Sequence, residues 1–153
     1  VNKQKRVDDA MIDIRAACHP VRLLADCDEH ARLPHPLATP ASMLPEDVQA
    51  ALAGKQLLDF GLSVQPDAFA FHQNFAQLPT SLVIAYALAI ATSGQAKSIY
   101  LAGFDGYGAD DPRRQEADKI FHAYQAAAGA LPLLAITPTL YELNSTSVYS
   151  LNA

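Results

Sequence analysis

The sequence predicts an α/β domain built on a mostly parallel sheet, and three observations carry that prediction. Residues 98–102 (SIYLA) and 133–136 (LLAI) are short apolar runs, the composition of strands covered on both faces. Helix-sized segments with their own start and stop signals separate such runs, and parallel strands require crossovers of that length. The run 98–102 breaks at Gly103 into the loop GFDGYGADD, and Asp111-Pro112 then opens a helix, with Asp as N-cap and Pro at the first helical position. At 153 residues the chain is long enough for one domain with one core.

In chain order, Asp8 caps an expected helix over 8–17, with Ala10, Met11, Ile14 and Ala17 on one face. VRLLA at 21–25 reads as a strand, 26–36 as a polar loop, and LAT at 37–39 as a short strand. Pro45 starts a helix through 53 that Gly54 stops, and QLLDF at 56–60 is the next strand. Residues 61–79 read as loop, with an extended piece at 68–72. Pro79-Thr80-Ser81 caps the most apolar helix, 82–93, which Gly94 closes; hydrophobic almost all round, it belongs at the centre of the core. The strand 98–102 follows, then a helix from Pro112 to about 128. Its face of Ala117, Ile120, Phe121, Tyr124 and Ala128 packs on the sheet. Residues 133–136 form a further strand and 147–151 an edge strand. The runs at 21–25, 56–60, 98–102 and 133–136 are expected as parallel neighbours in one sheet, with helices on both faces.

Half of the residues are hydrophobic and 18% are charged, which separates the chain from disordered sequences. The net charge is −5, whereas a nucleic-acid surface needs clustered Lys and Arg. Lys3, Lys5 and Arg6 form a short basic run that a solvated terminus accounts for. The longest apolar run, LVIAYALAIA at 82–91, falls far short of the ~20 residues a bilayer span needs, and no signal-peptide pattern is present. Cys18 and Cys27 match no metal spacing and make a poor disulfide framework, so reduced thiols in a cytoplasmic protein are expected. The chain opens on Val rather than Met, and no Gly-rich loop precedes the first helix. Residues 1–153 are therefore expected to be a single α/β domain, the C-terminal fragment of a longer protein.

Ligands of open α/β sheets bind beyond the carboxyl ends of the strands, which points to residues 103–111. Asp105, between glycines just past a strand end, suits a ribose hydroxyl, a metal or a protonated substrate group, and would equally make an Asx-turn. Gly103 lets the backbone approach a ligand closely, and Tyr107 stands in the same loop. Asp110 and Asp111 could join Asp105 around a divalent cation, but capping alone accounts for Asp111. Thr80 and Ser81 stand at the start of the apolar helix, where unpaired amides and the positive dipole end favour an anion; a hydroxyl cap serves there as well. That helix start is expected at the same sheet edge as Asp105.

His72 and Asn74, in FAFHQNF, follow the extended piece; His72 suits a general base or a phosphate contact, or a half-exposed loop position. Thr137 and Thr139 offer hydroxyls after the 133–136 strand, or simply turn the chain at Pro138. His19, His30 and His35 fall in an irregular stretch whose acidic neighbours are not spaced for a metal. His122 lies on the polar side of the last helix. There is no P-loop, no nucleophile elbow and no Cys-x-x-Cys.

AYALAIA at 85–91, IYLAGFDGY at 99–107, the helix with Glu116 and Tyr124, ITPTLYEL at 136–143 and SVYSL at 147–151 resemble the C-terminal domain of 4-hydroxy-2-oxovalerate aldolase-like proteins from bacterial surface-polysaccharide clusters. The AGFDGY strand end is also similar to that of bacterial sialyltransferase-type and flagellin-modification proteins. The resemblance covers about half the chain, from about Leu82; VRLLAD and LATP match more loosely, as strands of the same sheet. It implies a three-layer Rossmann-like domain that binds a phosphorylated sugar or nucleotide-sugar and packs on its own N-terminal domain. A sialyltransferase-like glycosyltransferase domain, with His72 or Asp105 as base, and a non-catalytic interaction domain that packs on a barrel or forms a homodimer are the alternatives. The family's aldolase site and divalent metal lie in an N-terminal TIM barrel, which needs ~250 residues, so aldolase chemistry and a cofactor are not expected in this stretch. No catalytic residue or metal ligand is assigned. The ligand-binding set is His72, Asn74, Thr80, Ser81, Gly103, Asp105, Tyr107 and Thr137.

Overall fold

The computed structural model describes residues 7–108 and 110–152; the basic run of Lys3, Lys5 and Arg6 lies outside the described residues. The described chain is a mixture of helix and strand, with most strand pairings parallel. A 3-10 turn at Asp9–Met11 leads to β1 (Arg15–Ala16), α1 (Pro20–Ala25), α2 (Cys27–Arg32) and β2 (Leu37–Thr39). After α3 (Glu46–Ala51) come β3 (Leu57–Asp59), β4 (Gly61–Val64), β5 (Ala70–Phe71) and β6 (Phe75–Leu78). Then follow α4 (Val83–Ser93), β7 (Ile99–Leu101), α5 (Pro112–Ala126), β8 (Leu133–Ala135) and a 3-10 turn at Val148–Asn152.

Three small sheets result, ordered β1-β2-β3, β4-β6-β5 and β7-β8. All pairings are parallel except β5 with β6. Only Phe60 separates β3 from β4. Its amide donates to Thr39 on the β2 side, and the next amide, Gly61, donates to Asn74 on the β6 side. The strand thus changes partner at one residue. Two apolar clusters flank this arrangement. The larger gathers Tyr86, Leu88 and Ala89 of α4, Ile120, Phe121 and Tyr124 of α5, and Leu101 and Leu133 of the β7–β8 pair. The smaller holds Leu23, Leu37, Leu44, Val48 and Leu52. Ala16 packs against the larger and Ala17 against the smaller; successive side chains of an extended segment point to opposite faces, so the clusters lie on opposite sides of β1.

The expected helices near 45–53, 82–93 and 112–128 are present, as are the strands within 37–39, 56–60, 98–102 and 133–136. Asp111 is the N-cap of α5, with its carboxylate accepting from the Arg113 amide. The first quarter of the chain corrects the expectation. The helix expected over 8–17 is replaced by the 3-10 turn at Asp9–Met11 and the strand at Arg15–Ala16. Ile12 and Ile14 are β-branched and alternate with Asp13 and Arg15, a pattern that disfavours a helix there. The 21–25 run is helical, not a strand: Pro20 occupies the first helical position and Leu and Arg are good helix formers. Helix α2 continues where a polar loop was expected.

The extended piece expected at 68–72 is present as β5, whereas β4 and β6 stand where the rest of the 61–79 stretch was expected to be loop, since these two pair with each other across a gap in sequence. The 147–151 edge strand is a 3-10 turn, where Ser147 Oγ accepts from the Tyr149 amide and competes with a strand ladder. The four apolar runs do not share one sheet: β3 pairs with β2, and β7 with β8. Among the described residues no helix is long and apolar enough to cross a membrane.

Candidate functional site

The loop after β7 is held at several points. Gly103, at φ +73°, donates its amide to Thr137 Oγ1 at 2.9 Å. The carbonyl of Asp105 accepts from the Leu140 amide at 2.9 Å. Gly106, at φ +95°, lies so close to Leu140 that an added Cβ would stand 2.9 Å from the leucine Cβ. Phe104 faces Phe121 of α5 edge-on. The Arg113 guanidinium stacks 4.1 Å above the Tyr107 ring and pairs with Asp111 at 2.6 Å. Those hydrogen bonds hold the Asp111 carboxyl below its ordinary range. The loop is anchored through its own backbone, its aromatic rings and the helix cap that follows it. The carboxylate of Asp105 itself, exposed, makes no hydrogen bond or ion pair among the described residues.

Gly103, Asp105 and Tyr107 line a cavity of about 800 Å³. The first two turns of α4 add Val83, Ile84 and Ala87 to the lining, the segment leading into β1 adds Val7, Ile12 and Ile14, and β1 itself adds Ala16. The walls are therefore mostly aliphatic. Leu82 is the N-cap of α4 and lends no side-chain cap, and Tyr86 is the first amide to bond back into the helix, to Leu82. The amides of the preceding turn lack an intrahelical partner, as at every helix start. Cys18 fastens the approach to this turn by donating its thiol to the Ser81 carbonyl at 3.2 Å; burial pushes that thiol up to about 11, which keeps it a protonated donor at neutral pH.

Arg15 also borders the cavity, but its guanidinium is engaged elsewhere. Its Nε donates to His35 Nδ1 at 3.2 Å and its Nη2 lies 3.6 Å from the Asp9 carboxylate. With Nδ1 accepting, His35 carries its proton on Nε2 and donates to the Asp9 carbonyl at 2.8 Å. Of the two charged residues in the lining, Asp105 alone is uncommitted.

The expected ligand set divides accordingly. Gly103, Asp105 and Tyr107 line the cavity, and Thr137 positions Gly103 from behind. Thr80 and Ser81 precede the N-cap and are not in the lining; the α4 start shares the cavity with Asp105 through Val83 and Ile84 instead. His72 and Asn74 are exposed on the β5–β6 hairpin, where the His72 ring stacks on Phe75 at 4.2 Å, away from the cavity. Asp110 is exposed and Asp111 is spent on the cap. Among the described residues no group of three or more His, Cys, Asp or Glu is arranged to hold a metal ion. Sequence reasoning missed the β1 wall and Tyr141, which also lines the cavity. The period-two pattern of 12–16 was the signal for that wall. Comparison of the chain with protein-family models, curated proteins and solved structures found no match.

Proposed function

We propose that this chain is a small-molecule-binding domain of the three-layer Rossmann-like class, taking a phosphorylated sugar or nucleotide-sugar in the cavity beyond β7. The two apolar clusters on opposite sides of β1 support the layering. The observation that carries the ligand reading is Asp105, an uncommitted carboxylate on a loop fixed at Gly103, Gly106 and Asp111 and facing an aliphatic cavity. A carboxylate is an acceptor only, so it suits the hydroxyls of a sugar. The aliphatic walls suit the ring faces, and the open amides at the start of α4 suit a phosphate. In this reading the chain is the accessory domain of a cytoplasmic, aldolase-like parent enzyme of polysaccharide synthesis, packed on that enzyme's N-terminal domain.

The test is a thermal melt of the wild type and Asp105→Asn with and without UDP-glucose, CMP and glucose 1-phosphate. The substitution is expected to change intrinsic stability by less than ~0.5 kcal/mol, as at ordinary surface sites. It is expected to weaken binding by ~1–3 kcal/mol, the range for a hydrogen bond to a charged group. A large loss of stability with no ligand-induced shift in either protein would make Asp105 a turn former and leave the domain an interaction module.

A further inference from the structure

One wall of the cavity is built unlike the others. Residues 7–14 carry Val7, Ile12 and Ile14 to the lining, yet Val7 is 40%, Ile14 50% and Met11 77% exposed. The turn inside this segment has no buried residue. Among the described residues its own hydrogen bonds are local: the Met11 amide donates to Asp8, the Ile12 amide to Asp9, and the Ala10 amide to the Asp8 carboxylate. Among the described residues, its polar ties to the rest of the fold converge on Asp9. They are the His35 Nε2 bond to the Asp9 carbonyl at 2.8 Å, with the Asp9 carboxylate 3.9 Å from the same nitrogen, and the Arg15 guanidinium 3.6 Å from that carboxylate. His35 is 5% exposed and stands just before β2, so the buried partner belongs to the sheet and the exposed partner to the segment.

We propose that residues 7–14 form a strap across the cavity and that His35 is its latch. A segment with little buried apolar surface and one hydrogen bond to a buried partner opens locally, well below the cost of global unfolding. The Arg15 Nε bond to Nδ1 fixes the imidazole tautomer that presents the Nε2 proton to Asp9. His35 is thus a positioning residue that controls entry to the cavity, whatever ligand the cavity takes.

Two measurements test this. The first is native-state hydrogen exchange of the wild type in rising, sub-denaturing urea. The Met11 and Ile12 amides are expected to exchange by an opening that urea does not promote, while Leu37 and Phe60 in the sheet exchange through global unfolding. Exchange of all four amides in step would make the segment part of the core and overturn the proposal.

The second measures access to the cavity in the full chain carrying Cys27→Ser and Ala87→Cys. Labelling of the introduced thiol by a disulfide reagent is expected to be roughly five- to tenfold faster with His35→Leu, as loss of one hydrogen bond implies. His35→Gln, whose amide can reach the Asp9 carbonyl, is expected to label at the wild-type rate, and His35→Asn, which is too short, at the faster rate. Equal labelling of the Gln and Asn variants would overturn the latch, and this pair decides the matter even where His35→Leu does not fold.

Discussion

Gly106 is the residue on which the shape of the loop turns. Its φ of +95° lies where side chains are strained, and its missing Cβ leaves room for Leu140. Gly103 shares the positive φ but has nothing within 4 Å of the same position. The pair separates backbone strain from crowding. Gly103→Ala is expected to cost ~1 kcal/mol, the strain alone. Gly106→Ala is expected to cost ~2–3 kcal/mol, because the Leu140 backbone must also move. Urea denaturation of both variants measures this, and equal costs would mean that contact with Leu140 does not hold the loop. At this scale the sequence told much about the loop, since Gly103, Asp105 and Asp111 act within a few residues of one another. It told nothing of the Arg15–His35 pair, which are 20 residues apart and meet because β1 and β2 run parallel.

Elements with strong local signals were readable, and those that depend on remote partners were not. Helix α5 has its Asp-Pro start and α4 its unbroken apolar run. Strands β4, β5 and β6 are two to four residues long and exist through one another, so within residues 61–79 only the extended piece around β5 could be read. VRLLA at 21–25 is ambiguous as composition, and Pro20 decides it. How the two long helices are joined could not be read either. Tyr124 OH takes the Leu131 amide at 3.0 Å and meets Thr92 Oγ1 at 2.8 Å, and Thr92 donates on to the Leu88 carbonyl at 2.8 Å. This buried relay ties α5, α4 and the approach to β8. Thr92→Val and Tyr124→Phe are each expected to cost ~1–2 kcal/mol. The double variant should cost less than the sum by ~0.5–1 kcal/mol, because both remove the same bond. Additive losses in a double-mutant cycle would show that the two hydroxyls act independently.

Over the whole molecule, the question is whether the two apolar clusters stand or fall together. The smaller contains only aliphatic side chains, whereas Tyr86 and Tyr124 are buried in the larger. Near-ultraviolet dichroism therefore follows the larger cluster, and far-ultraviolet dichroism follows helices on both sides. The clusters share β1 through Ala16 and Ala17, and they share the strand that changes partner at Phe60. Tyr86 reinforces that point by donating its hydroxyl to the Phe60 carbonyl. Loss of the smaller cluster would strip β2 from β3 at the residue where the larger cluster is anchored. The expected result is one transition in urea, with both signals coincident, as for most domains of this size. Leu52→Ala, a fully buried truncation in the smaller cluster, is expected to lower stability by ~2–5 kcal/mol. Both signals should shift by the same amount, although no aromatic side chain lies in that cluster. A far-ultraviolet transition that runs ahead of the near-ultraviolet one in this variant would show that α1, α2 and α3 unfold as a separate unit, and that the change of partner at Phe60 joins two structures that are stable apart.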